Sequence, residues 1–164
     1  MNIFLDAALA YAAQGIPVFP LSPGTRIPSI SREQGGHGFY DATTDEVTIR
    51  GWWKRWPRAN IGIPTGAASG WVVLDIDPRN GGDHSLTELQ DLYGPLPMTR
   101  TACTPRGGWH FYFRHPGDGV RIPCDTHGKL GHGIDVKGDG GYVVAPPSRI
   151  ANTATGYVWK AAES

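Results

Sequence analysis

The chain has 164 residues, 40% of them hydrophobic and six of them Trp, which suits one folded domain with a sizeable core and excludes a disordered chain. Lys plus Arg balances Asp plus Glu at 15 each; a formal net charge of zero rules out a purely electrostatic DNA coat but leaves room for a local basic groove. Two cysteines make no disulfide framework, no apolar run reaches membrane-spanning length, and Met1–Asp6 lacks the basic start of a secretory signal, so a soluble cytoplasmic protein without a membrane partner is expected.

Asn2 is placed to cap a first helix whose stripe is Phe4, Leu5, Ala8, Leu9 and Ala12, with Gly15 as its stop. Ile16–Phe19 reads as a short edge strand, because a proline cannot donate within a central ladder. Residues 20–42 are rich in Pro and Gly, and so long an irregular stretch in a compact domain is often functional. It contains Pro23–Pro28, a loop that offers one cation, Arg26. Thr43–Glu46 matches a capping box and predicts a helix from Asp45 to Trp56, closed by Pro57. Ile49, Trp52, Trp53 and Trp56 fall at i, i+3, i+4 and i+7; stacking on bases is one use, but core packing is the better reading for at least two of the tryptophans. Ile61–Ile63 reads as a second short strand. Asn60 and Thr65–Gly66 beside it either order a ligand pocket or only make a turn.

Trp71–Asp77 is a β-branched and aromatic run that ends in two carboxylates, the pattern of a buried strand. Alternation along a strand puts Asp75 and Asp77 on one face and Val72, Leu74 and Ile76 on the other. Like charges so close repel unless a cation lies between them, which suits a hard divalent ion such as Mg²⁺ or Mn²⁺. A helix over Ser85–Leu92 follows, ended by Gly94 and Pro95. Thr99–Thr104 and Trp109–Phe113 read as paired strands joined around Pro105–Gly108. His110 and Tyr112 share one face of the second of these, and a polar residue amid aromatics at a strand start is a candidate for phosphate contact. Ile134–Lys137 and Tyr142–Ala145 read as a hairpin across Gly138–Gly141, with Asp139 as its turn residue and Asp135 able to complete a carboxylate triad. Tyr157–Trp159 closes the list as a last strand. The pattern is α+β, an antiparallel or mixed sheet with helices packed on one side. Cys124 and His127 have zinc-like spacing and Cys103 and His132 can be imagined joining them, but the other spacings are irregular, so free thiols and surface histidines are favoured over structural zinc.

Taken in order, these segments carry a resemblance. Ala42–Asp45, Trp52–Trp53, Ala59–Ile63 with Thr65–Gly66, Val72–Asp77 with Gly81–Gly82, Gly107–Phe113 and Gly133–Ser148 together resemble the bifunctional DNA primase/polymerase (prim-pol) domain of the archaeo-eukaryotic primase superfamily. No single motif decides this; the ordered set, spanning nearly the whole chain, is specific. The resemblance implies a catalytic core built on an RNA-recognition-motif-like sheet with flanking helices and a second small α/β unit. Residues 1–164 would then be a single catalytic domain, the N-terminal part of a longer phage- or plasmid-type replication protein in which a helicase often follows.

The same resemblance maps the family's first acidic motif onto Asp75 and Asp77, its small-x-His motif onto Gly108–His110 and its third acidic motif onto Asp135. It implies template-directed DNA polymerase and primase activity, a nucleotidyl transfer from a dNTP or NTP to a primer 3′-hydroxyl on a DNA template. Asp75, Asp77 and Asp135 would hold two Mg²⁺ or Mn²⁺ ions, which in two-metal enzymes lie about 3.5–4 Å apart. His110 is expected to donate to a phosphate oxygen. Arg26, Arg106 and Lys137 are candidate phosphate clamps, and the N–H groups of Gly107 and Gly108 are candidates to cradle the anion. Two competing readings are a metal-dependent nuclease or relaxase and a catalytically idle module that binds single-stranded DNA or nucleotides. The relaxase needs histidines alternating on one strand, and His110 is followed by Phe111–Tyr112.

Overall fold

In the computed structural model, which describes residues 1–161, Asn2 caps the first helix, α1 (Ile3–Ala13), by accepting from the N–H groups of Phe4 and Leu5. The edge strand lies further on than the proline pattern predicts. Val18 makes only a bridge to Thr43, and the strand itself is β1 (Phe19–Leu21), which carries Pro20 at the edge of its sheet. Helix α2 (Glu46–Arg55) is capped by Asp45, whose carboxylate accepts from the Thr48 N–H at 2.8 Å. Thr43 accepts from the Asp45 N–H instead of capping the helix itself. The remaining elements are β2 (Asn60–Pro64), β3 (Trp71–Ile76), α3 (Gly82–Tyr93), β4 (Arg100–Cys103), β5 (Trp109–Arg114), β6 (Ile134–Lys137), β7 (Tyr142–Ala145) and β8 (Val158–Trp159).

The strands form two antiparallel sheets, one of three strands in the order β1-β2-β7 and one of five in the order β6-β3-β5-β4-β8. Alternation gives the five-stranded sheet a face made of Trp71, Val73 and Asp75 on β3, His110 and Tyr112 on β5, Ala102 on β4 and Trp159 on β8. The apolar part of that face is core. Val73, Ala102 and Tyr112 pack in one cluster with Ile61 and Ile63 of β2, Val143 and Ala145 of β7, and Ala8, Tyr11, Ile49 and Trp53 of the first two helices. Trp53 is 1% exposed and its indole N–H donates to the Ala59 carbonyl, while Trp52 and Trp56 pack around the same cluster. The tryptophan stripe therefore serves the core. Helix α3 is set apart from α1 and α2, lying along β3 and β6.

The expected hairpin of residues 134–145 does not form. β6 pairs with β3, whereas β7 pairs with β2 in the other sheet. The would-be turn is engaged elsewhere: the Asp139 N–H donates to the Ile122 carbonyl, and its carboxylate accepts from the N–H groups of Ala67 and Ile122 and lies 3.1 Å from His115 Nε2. Gly138–Gly141 thus carries the chain from one sheet to the other. No helix among the described residues is long and apolar enough to cross a membrane.

Candidate active site

The centre of the site is a register coincidence on three neighbouring strands. β3 is the middle strand, and Asp75 is paired across one side with His110 of β5 and across the other with Asp135 of β6. Directly opposed residues on adjacent strands face the same way, with Cβ atoms about 4.5–5.5 Å apart. An imidazole and two carboxylates therefore stand in a row, where the apolar face of the sheet ends and a cleft of about 760 Å³ opens. All three line that cleft.

His110 Nε2 lies 3.5 Å from Asp75 Oδ1. The imidazole is 4% exposed, its ring tilted against Tyr157 at 5.6 Å, and its Nδ1 is buried with no partner among the described residues. Burial alone would push the Asp75 carboxyl up. The His110 hydrogen bond and the positive charges of His110, Lys137 and Arg26 outweigh it and hold the carboxyl below the usual carboxylate range. On the other side, Lys137 Nζ is 3.1 Å from Asp135 Oδ2. Lys137 sits two residues along β6 from Asp135, on the same face, opposite Val73. The two carboxylates that face each other across the strands are thus each matched to a cationic or donor group.

Asp77 lies one residue beyond β3 and lines the same cleft, but its carboxylate is engaged by its own chain. It caps the short 3₁₀ turn Pro78–Asn80 by accepting from the Arg79 N–H, accepts from Asn80 Nδ2 at 2.8 Å, and meets the Arg79 guanidinium at 3.3 Å through both Nε and Nη2. Two glycines make this corner. A Cβ on Gly133, where φ is +74°, would lie 2.4 Å from the Gly82 nitrogen, and a Cβ on Gly82 would lie 2.8 Å from the Asp77 nitrogen. The backbone approach they permit seals the end of β3 against the starts of β6 and α3, with the Asp77 N–H donating to the Gly133 carbonyl.

The predicted cations converge. Arg26, Arg106 and Lys137 all line the cleft. The Arg26 loop is pinned at two points: Tyr142 donates its hydroxyl to the Arg26 carbonyl at 2.7 Å, and Asn60 Nδ2 donates to the Thr25 and Arg149 carbonyls. Asn60 itself is 1% exposed, and its Oδ1 accepts from the Arg149 N–H. It holds the loop and does not line the cleft. Thr65 is buried and donates to the Gly138 carbonyl, which ties it to the crossing between sheets. The Gly107 N–H donates to the Thr104 carbonyl and the Gly108 N–H to Thr104 Oγ1. Those two amides close the β4–β5 turn.

Sequence reasoning passed over Tyr157, Arg79 and Asn80, which also line the cleft. Tyr157 is 3% exposed; burial pushes its hydroxyl up, offset in part by the nearby Arg26. Its neighbours come from segments distant in the chain, so no local signal marks it. The proximity of Arg79 and Asn80 to Asp77 was visible in the sequence.

Asp75 and Asp135 supply hard oxygen donors in opposed register, the chemistry that suits Mg²⁺ or Mn²⁺. Asp77 can join them only by giving up Arg79 and Asn80, and among the described residues no three His, Cys, Asp or Glu side chains are gathered as a metal-holding group. The same observation covers the zinc idea. Cys124 Sγ is within 3.7 Å of the Gly138 and Asp139 carbonyls and accepts from the Gly138 N–H, and no cluster with Cys103, His127 and His132 is formed.

A family model described as bifunctional DNA primase/polymerase, N-terminal, matches residues 8–163. None of the curated proteins matches the chain.

Proposed function

The chain belongs to the bifunctional DNA primase/polymerase N-terminal family, whose activity is of the primase and polymerase type, and from that premise we propose that it is a template-directed nucleotidyltransferase. It would transfer a nucleotide from a dNTP or NTP to the 3′-hydroxyl of a primer paired to a DNA template, releasing pyrophosphate. The observation that carries this reading is the His110–Asp75–Asp135 row across β5, β3 and β6, beneath a cleft reached by Arg26, Arg106 and Lys137. The five-stranded sheet is read as the catalytic unit of RNA-recognition-motif type and the three-stranded sheet with α1 and α2 as the second unit. The whole is read as one catalytic domain at the N-terminus of a longer replication protein, with a helicase as partner.

The division of labour follows from charge and reach. Asp75 and Asp135 are the residues that would hold a hard divalent ion, with Asp77 as a third ligand once its local contacts are released. When bound, Mg²⁺ or Mn²⁺ supplies positive charge to the attacking and leaving oxygens of the transfer. Arg26, Arg106 and Lys137 bind the triphosphate and offset charge that builds on its oxygens. His110, whose Nε2 faces Asp75 at 3.5 Å, would exchange that contact for a hydrogen bond to a phosphate oxygen of the bound triphosphate. Tyr157 keeps the imidazole in place by covering its ring. The row is held by the paired ladders of β5, β3 and β6, the last of these an edge strand, so its geometry is set before substrate arrives.

A relaxase reading needs a nucleophilic tyrosine in the cleft. Of the tyrosines that line the cleft, Tyr157 is 3% exposed with its hydroxyl pushed up by burial, and Tyr142 spends its hydroxyl on the Arg26 carbonyl. Primer extension with labelled dNTP in Mg²⁺ or Mn²⁺ tests the proposal. Extension by the wild type and its loss in Asp75→Asn and Asp135→Asn support it. Strand cutting without extension would point to a nuclease, and DNA binding without turnover in either metal to an idle module.

A further inference from the structure

Arg79 is placed where a cation is expected. Its guanidinium meets both carboxylate oxygens of Asp77, Nε to Oδ1 and Nη2 to Oδ2 at 3.3 Å each, and the side chain lines the cleft. The Arg79 backbone N–H also donates to Asp77 Oδ1 and Asn80 Nδ2 to Oδ2, so the carboxylate is fully occupied by its own turn. Among the described residues the other two acids of the cleft lack such a lock: Asp135 has a single lysine partner and Asp75 a single imidazole. The contact is long for an ion pair and the arginine side chain is 53% exposed, which makes it breakable at small cost.

We infer that Arg79 is an exchangeable guard on the third acid: it neutralises and turns aside Asp77 in the metal-free protein, and on release it swings to the triphosphate in the same cleft. Two consequences follow from the geometry. A divalent ion competes with the guanidinium for the same oxygens, so Arg79 weakens metal binding in the absence of nucleotide. A planar fork freed from one anion is matched to another, so Arg79 strengthens nucleotide binding once it has let go. The protein would therefore take up metal and nucleotide together more readily than either alone, a coupling between two ligands through one side chain. This rests on the nucleotidyltransferase reading, and deepens it by naming a positioning residue for the third ligand.

Titration of the nucleotide-free protein with Mn²⁺, followed by electron paramagnetic resonance of the free ion, reads the guard directly. Arg79→Ala is expected to bind Mn²⁺ about three- to fivefold tighter than wild type, the size of a partly exposed ion pair. In primer extension the same variant is expected to raise KM for dNTP about tenfold with a smaller change in kcat, the signature of a lost nucleotide contact. Arg79→Lys, which keeps the charge and the turn but not the fork, should fall between. Arg106→Ala, whose cation lines the cleft without a contact to Asp77, should leave Mn²⁺ affinity within about twofold. Unchanged or weaker Mn²⁺ binding in Arg79→Ala overturns the guard, as does an equal gain in Arg106→Ala, which would reduce the effect to net charge. A wild type whose Mn²⁺ binding does not depend on Asp75 would sink the guard together with the metal-dependent reading it rests on, whereas failure of the guard alone leaves that reading standing.

Discussion

Replacing Lys137 by Met removes the one cation paired to Asp135 and leaves two carboxylates opposed across β3 and β6. The ammonium lies 3.1 Å from Asp135 Oδ2. At that separation a unit pair is worth about 5 kcal/mol at an effective dielectric constant near 20 and about 1.3 kcal/mol in bulk water. The side chains are 22% and 35% exposed, so solvent screens much of the higher figure. The carboxylates repel each other with the same distance dependence once the lysine is gone. A net loss of about 1–2 kcal/mol follows, or a fall in Tm of roughly 2–6 °C for a domain of this size. Urea denaturation at neutral pH without divalent ions measures it. The double variant Lys137→Met/Asp135→Asn should recover most of the loss, because it removes the repulsion along with its counter-charge. The reasoning is refuted if Lys137→Met is neutral, or if the double variant is no more stable than the single one, since the cation would then not be what holds the two acids together.

Three other outcomes follow. Trp53→Ala should lose about 3–5 kcal/mol in the same assay, as a fully buried indole that also gives up its bond to the Ala59 carbonyl. Asp139 is held down from the ordinary 3.8 to about 2 by the N–H groups of Ala67 and Ile122 and by His115. A depressed carboxyl contributes stability that is complete above its unfolded value and disappears as pH falls through its folded one. Wild type should therefore exceed Asp139→Asn at neutral pH and converge with it between pH about 4 and 2, in denaturation curves taken across that range. Gly133→Ala should cost more in thermal melting than Gly107→Ala: both have positive φ, but only at Gly133 would the methyl meet backbone, 2.4 Å from the Gly82 nitrogen.

Much of the site was legible because strand alternation and the ordered motifs depend on local residue types. Asp75, His110 and Asp135 could each be placed on a strand from the sequence; that they form one row is a property of register, which the chain fixes only through its long-range pairings. The same limit explains the failed hairpin. Gly138–Gly141 has the composition of a tight turn, and nothing local shows that Asp139 is claimed by Ala67, Ile122 and His115. The donors show a related limit. Asn60, Thr65, Gly107 and Gly108 are chemically apt for an anion, but aptness does not show that Thr25, Arg149, Gly138 and Thr104 already use them. Tyr157 went unseen because its neighbours, His110 and Arg26, lie 47 and 131 residues away in the chain.

The short passage from β6 to β7 has a mechanical outcome. Four residues bridge the two sheets, a tether of at most about 18 Å even when taut, and Thr65 fastens it to the neighbouring layer. Joined so closely at one margin and sharing one apolar core, the two sheets cannot slide or separate there. The width of the cleft next to that crossing is thereby fixed by covalent geometry, whatever the rest of its lining does.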